Sequence, residues 1–248
     1  MNDLVPRTAE AAGLAISADR DPVVQADAIV VGASAGGVQA LQALVSQLPP
    51  EFPASILVVL HMMTSATSVL HNILDRAGPL GATQARDGDR LERGHVYVAP
   101  PDFHMLLRAS AIHLSGGPRE NGHRPAIDPL FRSAARAFGP RVIGVILSGT
   151  LDDGTDGLRL IKELGGGTVV QDPADAAYGS MPESAIRHVA PDRVVPLAEI
   201  GATLAAMVDA PLDPVRPEPA DRADEIGATV RRLHGTDSAA APEAGSLS

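Results

Sequence analysis

A serine in a glycine-rich loop is the first residue of the sequence that could do chemistry. The loop runs Gly32-Ala-Ser-Ala-Gly-Gly37, between an apolar run and an amphipathic stretch. It matches G-x-S-x-G, a sharp strand-to-helix turn that presents a serine hydroxyl above a sheet. Ser34 is therefore a candidate nucleophile, and the Ala35 N–H at the helix start could stabilise an oxyanion. A phosphate-binding turn and a structural turn are the alternatives, although neither G-x-G-x-x-G nor a Walker lysine is present.

A histidine that could act as a base follows the next apolar run. His61 comes directly after Ile56–Leu60. An isolated histidine at a strand end is more often a capping or core residue than a catalytic one. The interpretation as a base depends on its strand being a neighbour of the strand before Ser34, because a neutral serine needs a base within hydrogen-bond reach.

Three carboxylates crowd a third loop. Asp152, Asp153 and Asp156 follow the apolar run Arg141–Leu147. One of them could orient the histidine, and helix capping is the competing explanation. The spacing also has part of an EF-hand pattern, but Gly154 stands at a ligand position and a strand, not a helix, precedes the loop. No metal site is predicted.

The elements that must position these loops alternate between apolar strands and amphipathic helices. Continuous apolar strands between such helices are typical of a parallel sheet covered on both faces. Short strands with a turn near Ala109-Ser110 predict an antiparallel hairpin. We therefore predict an α/β fold with a doubly wound, mainly parallel sheet, helices on both faces and a small antiparallel hairpin insertion. Ligands of such sheets bind at the carboxyl ends of the strands, where all three loops lie. The predicted strands are Ala28–Val31, Ile56–Leu60, Arg141–Leu147, Thr168–Val170 and Arg193–Val195, and the predicted helices are Gly37–Gln47, Ser65–Arg76, Gly154–Leu164, Pro182–His188 and Ala198–Val208.

Composition excludes several classes of function. The chain has 248 residues, no Cys, a net charge of −10 and 2% aromatic residues. The missing Cys exclude a disulfide scaffold, a thiolate metal site and a cysteine nucleophile. Clustered Lys and Arg and aromatic platforms are missing as well, so nucleic acid and anionic membranes are not expected partners. The longest uncharged stretch, 28–50, is broken by polar residues and glycines, so no membrane insertion is expected. Residues 1–20 lack a signal-peptide pattern, which predicts a cytoplasmic protein.

Three regions are expected along the chain. Residues 1–26 are predicted to be a flexible N-terminal segment, and residues 27–210 a catalytic domain. Residues 211–248 are rich in Pro, Ala and Glu and are predicted to be a flexible tail with a short helix near Arg222–Leu233.

Six stretches resemble, in order, the catalytic domain of CheB-type protein-glutamate methylesterases, the chemotaxis receptor demethylases. The resemblance covers about 29–210 and implies a doubly wound parallel sheet. It also implies an enzyme that hydrolyses γ-glutamyl methyl esters on receptors to glutamate and methanol. Many members also deamidate receptor glutamines. Carried over by motif, the nucleophile falls on Ser34, the general base on His61 and the triad aspartate on Asp153, with no cofactor. The stretches are IVVGASAGGVQAL, VVLHM, GHVYVAPPDFHMLL, HRPAIDPLFRSAA, GVILSGTLDDGTDGL and YGSMPESAI.

The resemblance also implies partners and an oxyanion site. The substrate is expected to be a methylated chemoreceptor or another methyl-esterified signalling protein, with chemotaxis proteins as further partners. The backbones of Ala35 and Thr150 are expected to bind the oxyanion. A non-catalytic signalling scaffold with the same fold is the main alternative, and a nucleotide-binding domain is a third reading.

The sequence departs from the family pattern at several positions. Ala35 replaces a frequent Thr, Thr150 replaces a Met that lines the site, and Leu151 replaces a Gly. After the histidine, 62–67 lacks the usual Pro and Phe-Thr pair. The residues before Ile29 are too few for the receiver domain of two-domain members, so we expect no phosphorylatable switch within this chain.

Four further residues fit the resemblance but also have structural explanations. His104, Met105, Arg124 and Asp128 lie in family motifs and could shape a substrate groove. A hairpin and a helix cap would explain them equally well, so both interpretations stay open.

Overall fold

The computed structural model of the chain describes residues 28–61 and 69–209. The predicted N-terminal segment, the predicted tail with its short helix, and the start of the helix predicted from Ser65 lie outside these residues. Within the two described ranges, no helix is long and apolar enough to cross a membrane.

A seven-stranded parallel sheet forms the centre of the described residues. Its strands lie in the order β3-β4-β2-β1-β7-β8-β9, and β5 and β6 form a separate antiparallel pair. The strands are β1 (Ala28–Ala33), β2 (Ser55–Leu60), β3 (Gly81–Gln84), β4 (His95–Val98), β5 (His104–Arg108), β6 (Ala111–Ser115), β7 (Val142–Ile146), β8 (Gly167–Gln171) and β9 (Arg193–Val195). The helices are α1 (Gly37–Ser46), α2 (Leu70–Ala77), α3 (Ile127–Phe138), α4 (Thr155–Glu163), α5 (Ser180–Val189) and α6 (Leu197–Asp209).

Both faces of the sheet are covered, which explains why its central strands β1, β2 and β7 are buried at every position. Ile29 and Val31 of β1 face a core made with α1, α2 and α6. Ala28 and Val30, the alternate residues of the same strand, face a second core made with α3, α4, α5 and the β5–β6 pair. The predicted doubly wound α/β fold with a small antiparallel hairpin is confirmed.

Two elements of the described fold were not predicted from the sequence. The short strand β3 has an exposed, alternating pattern rather than an apolar run. Helix α3 carries Pro129 in its first turn, where the missing N–H costs no helix hydrogen bond. Most of the side chains of α3 are buried, because it packs against both α4 and β1.

The strand order creates a crevice at the carboxyl edge of the sheet. The chain moves from β1 to β2 on one side of β1, whereas β7 pairs with β1 on the other side. The loops after these three strands therefore meet at a topological switch point, where open α/β sheets bind their ligands. These are the loops that carry Ser34, His61 and Asp153.

Candidate active site

Ser34 lies in a tight turn between β1 and α1. Its backbone N–H donates to the Ser148 carbonyl over 3.0 Å, and the Gly37 N–H donates to the Ser34 carbonyl over 2.9 Å. Gly36, the second of the two residues between them, has φ 75, a left-handed conformation that glycine adopts without a steric cost. The turn therefore fixes the serine at the amino end of α1, tied to the loop after β7.

His61 connects the serine to a carboxylate. Its backbone N–H extends the β1–β2 pairing by donating to the Ala33 carbonyl over 3.1 Å. In its side chain, which is 5% exposed, Nδ1 lies 3.2 Å from Ser34 Oγ and Nε2 lies 2.7 Å from Asp153 Oδ2. Because a carboxylate only accepts, Nε2 carries the proton. The Nδ1 lone pair then faces the serine hydroxyl, as a general base requires.

Asp153 is buried at the amino end of α3. Its Oδ2 accepts from His61 and from the Ile127 N–H, and its Oδ1 accepts from Asn121 and from the Asp128 N–H. Burial by itself favours the neutral carboxyl. The hydrogen bonds from His61, Ile127 and Asn121 outweigh burial and lower the pKa of Asp153, so the carboxylate is ionised.

A second buried carboxyl, Asp128, adjoins the first. Its Oδ1 accepts from the Gly157 N–H over 2.7 Å, and its Oδ2 accepts from Asn121 over 3.1 Å. Burial raises the pKa of Asp128, the Gly157 hydrogen bond opposes that rise, and the negative charge of Asp153 adds to it. The two neighbouring carboxyls thus have pKa values shifted in opposite directions.

The turn Glu120–His123 contacts two of the three predicted triad residues. Asn121 Nδ2 donates to Asp153 Oδ1 over 2.8 Å. The His123 ring stacks on the His61 ring with 3.7 Å between centroids and 5° between planes. Sequence reasoning assigned no role to either residue. Two signals were present: the Asn121-Gly122 dipeptide, which is typical of a type I′ turn, and the place of His123 at the start of the stretch HRPAIDPLFRSAA.

The loop after β7 packs directly against the serine. A Cβ at Gly149 would lie 2.5 Å from Met181 Cε and 2.9 Å from Ser34 Cβ. The Gly149 N–H donates to the Tyr178 carbonyl. Only glycine therefore fits beside the serine, and its N–H is already engaged.

The predicted oxyanion residues, Ala35 and Thr150, flank the serine from two loops. Ala35 directly follows Ser34, and its carbonyl accepts from Ser148 Oγ over 2.8 Å. Thr150 is exposed. Among the described residues, no hydrogen bond occupies the backbone N–H of either residue. The role of these two N–H groups in binding an oxyanion stays a prediction.

Three of the four residues with an undecided role make contacts that stabilise the fold. His104 donates from Nε2 to the Pro118 carbonyl and accepts the Ala126 N–H at Nδ1. Met105 is fully buried in the core. Arg124 binds Asp102 and two backbone carbonyls. These contacts favour the structural interpretation, whereas Asp128 belongs to the carboxyl network.

Within the described residues, no group of three or more His, Cys, Asp and Glu side chains has a metal-binding arrangement.

The doubly wound sheet and the Ser34–His61–Asp153 hydrogen-bond chain define a doubly wound α/β protein with a candidate serine–histidine–aspartate triad at the carboxyl edge of its sheet. The chain belongs to the CheB methylesterase family, whose model matches residues 29–204.

Curated relatives and a solved structure are named as methylesterases. A protein-glutamate methylesterase/protein-glutamine glutaminase of Methanosarcina mazei is 38% identical over 73% of this chain and 51% of its own length. A putative one from Leptospira interrogans is 39% identical over 70% of this chain and 91% of its own. The crystal structure of the Thermotoga maritima CheB methylesterase catalytic domain matches with a TM-score of 0.72 and 35% identity, over 75% of this chain and 100% of that one. The chain spans about half the length of the first curated relatives.

Proposed function

We propose that this protein is a serine esterase that hydrolyses γ-glutamyl methyl esters of a signalling protein to glutamate and methanol. One observation carries the proposal: Ser34 Oγ, His61 and Asp153 form a continuous hydrogen-bond chain with steps of 3.2 Å and 2.7 Å. A serine hydroxyl is a weak nucleophile, and this arrangement supplies both the base and the group that orients the base.

The first half of the reaction forms an acyl-enzyme. Ser34 Oγ attacks the ester carbonyl while His61 Nδ1 takes the hydroxyl proton. The ionised Asp153 stabilises the resulting imidazolium through Nε2–H. Collapse of the tetrahedral intermediate breaks the bond to the methoxy group, and His61 returns the proton, so that methanol leaves.

The second half regenerates the serine. His61 Nδ1 takes a proton from water, and the hydroxide attacks the acyl carbonyl. The bond to Ser34 Oγ then breaks, the serine recovers its proton from His61, and glutamate is released. The same steps applied to a glutamine side chain release ammonia instead of methanol, in line with the glutaminase activity in the names of the relatives.

The oxyanion of both intermediates is assigned to the N–H groups of Ala35 and Thr150. Ala35 directly follows the nucleophile at the amino end of α1, where free N–H groups and the helix dipole favour negative charge. The neighbouring Gly149 N–H is engaged by Tyr178 and is not part of this site.

The proposed substrate is a methylated chemoreceptor or another methyl-esterified signalling protein, supported by the family membership. The relatives' names describe a protein substrate, and exposed apolar side chains next to the serine loops, Leu151 and Tyr178, offer contacts for one. The family membership also supports a cytoplasmic location.

A non-catalytic binding role is the second candidate. Leu151 is 67% exposed and has φ 67, a left-handed conformation that costs energy for a leucine. An exposed apolar side chain kept at such a position fits a contact with a partner protein. Under this alternative the serine would be unreactive.

Methanol release from a methylated receptor fragment tests the proposal. The wild-type chain should release methanol, and Ser34→Ala should release none above background while retaining its fold, because alanine fits the turn. Ser46→Ala is the matched control, since Ser46 Oγ only caps the Ala43 carbonyl on α1. Equal release by wild type and Ser34→Ala would rule out the proposed nucleophile, and an inactive wild type would favour the binding role.

A further inference from the structure

We propose that the turn Glu120–His123 is a positioning element for the catalytic pair, with Asn121 aligning Asp153 and His123 aligning His61. This inference rests on the proposed function. It concerns residues that do not touch the reacting atoms but hold the groups that do. The observation behind it is that one short turn contacts both residues through side chains two positions apart.

The turn is built rigidly. Asn121 has φ 51 and Gly122 has φ 78, and the flanking residues exchange two hydrogen bonds, Glu120 N–H to the His123 carbonyl and His123 N–H to the Glu120 carbonyl. This is the geometry of a type I′ turn, for which Asn-Gly is the preferred pair.

Both ends of the turn are anchored to the rest of the fold. On one side, the Glu120 carboxylate binds Arg132 of α3. On the other side, Arg124 donates to the carbonyls of Gly116 and Gly117 and to Asp102. The turn therefore holds the side chains of Asn121 and His123 in fixed positions beside the site.

Asn121 determines how the Asp153 carboxylate is used. Its amide donates to Asp153 Oδ1 over 2.8 Å and to Asp128 Oδ2 over 3.1 Å. With Oδ1 engaged there, Oδ2 is directed at His61 Nε2. Without this donor, Oδ1 would keep only the 3.2 Å hydrogen bond from the Asp128 N–H, so the carboxylate would be held less firmly in the orientation that meets His61.

His123 restricts the one motion that the hydrogen bonds of His61 leave open. Contacts at Nδ1 and Nε2 both lie in the plane of the His61 ring, so they resist tipping of that plane only weakly. A parallel ring at 3.7 Å covers one face and blocks the tilt. The stack must also tolerate the imidazolium that forms during attack. Burial lowers the pKa of His123, and a positive charge on His61 lowers it further, so a second charge on the covering ring is disfavoured when the imidazolium forms.

Replacements of His123 separate ring stacking from other roles. His123→Ala removes the covering ring, and His123→Phe restores an aromatic ring without ionisable nitrogen. Methyl-ester hydrolysis by His123→Ala should show a kcat lower by about 10- to 100-fold, because small losses of alignment are costly, with KM within about twofold. His123→Phe should recover kcat to within about threefold of wild type, since its ring occupies the same face.

Asn121→Gly provides a second variant that keeps the turn. Glycine accepts the left-handed backbone at this position, so the variant deletes only the amide. It should lower kcat by about tenfold without changing KM, by the same loss of alignment. His113→Ala is the matched control, because that histidine pairs with Asp87 on the surface and should leave kcat unchanged.

The rate of Ser34 labelling by a fluorophosphonate distinguishes this inference from the proposed function. If the wild type is labelled but releases no methanol, the proposed substrate is wrong, and the labelling rates of the same variants decide the positioning role. If neither reaction occurs in the wild type, both proposals are overturned. Wild-type rates in both His123→Ala and Asn121→Gly would overturn the positioning role. So would an equal loss in His123→Ala and His123→Phe.

Discussion

Replacing Asp153 with Asn changes a carboxylate whose two oxygens are fully used. Oδ2 accepts from His61 and the Ile127 N–H, and Oδ1 accepts from Asn121 and the Asp128 N–H. An amide offers one oxygen and one NH₂ group. In either orientation its NH₂ group therefore faces two of these four donors.

The two orientations have different consequences. If the amide nitrogen faces His61, the imidazole must accept at Nε2 and carry its own proton on Nδ1. A protonated Nδ1 cannot take the proton of the Ser34 hydroxyl. With the nitrogen towards Asn121, two donors lose their acceptor. Each unsatisfied buried group costs about 1–3 kcal/mol, so Asp153→Asn should lower the free energy of unfolding by about 2–4 kcal/mol. The wrong tautomer should lower kcat by about 10³- to 10⁴-fold.

Asp152→Asn is the matched control for this prediction. Asp152 is the adjacent residue and is exposed, so its unfolding free energy and kcat should stay within about 0.5 kcal/mol and twofold of wild type. Urea denaturation measures the first quantity, and methanol release measures the second. If Asp153→Asn retained activity within about tenfold of wild type, or if Asp152→Asn were the more damaging change, the assignment of Asp153 would be refuted.

Three other perturbations have defined outcomes. Burial raises the pKa of Asp128 to about 6. The contribution of Asp128 to stability is therefore present below about pH 4 and is lost as the pH rises through about 6. Between pH 4 and 8, the free energy of unfolding of wild type should fall by about 1–3 kcal/mol relative to that of Asp128→Asn, as measured by urea denaturation. Gly149→Ala should lower both thermal stability and kcat, because its Cβ would lie 2.9 Å from the serine side chain, whereas Gly116→Ala, with its nearest neighbour at 3.9 Å, should change neither. Leu151→Gly should not lower the melting temperature, because it relieves a strained φ of 67 and removes little buried surface. Leu164→Gly is the control and should lower the melting temperature, because Leu164 has an ordinary φ of −90 and glycine only adds backbone freedom there.

The sheet and the three loops that carry Ser34, His61 and Asp153 could be predicted because their signals are local, whereas the choice of Asp153 among three neighbouring aspartates depends on the family resemblance. Apolar runs before Ser34, His61 and Asp153 each predict a strand followed by a loop. Because ligands of such sheets bind at the carboxyl ends of the strands, the three loops are expected to lie together at one site. Local pattern and topology agree here.

The surroundings of the triad could not be predicted because they depend on contacts between distant segments. Nothing near Asn121 or His123 in the sequence indicates that α3 and the loop after β7 will bring Asp153 to them. Asp128 resembles an ordinary aspartate at a helix start, and its raised pKa comes from its burial against α4. Helix α3 itself was missed, although its packing creates the pocket for the Asp153 carboxylate.

Mass spectrometry of the chain after reaction with a fluorophosphonate tests most directly whether Ser34 is an activated nucleophile. We expect a single adduct, located on Ser34, which forms rapidly in wild type and is lost in His61→Ala. An adduct on another residue, no adduct at all, or undiminished labelling of His61→Ala would contradict it.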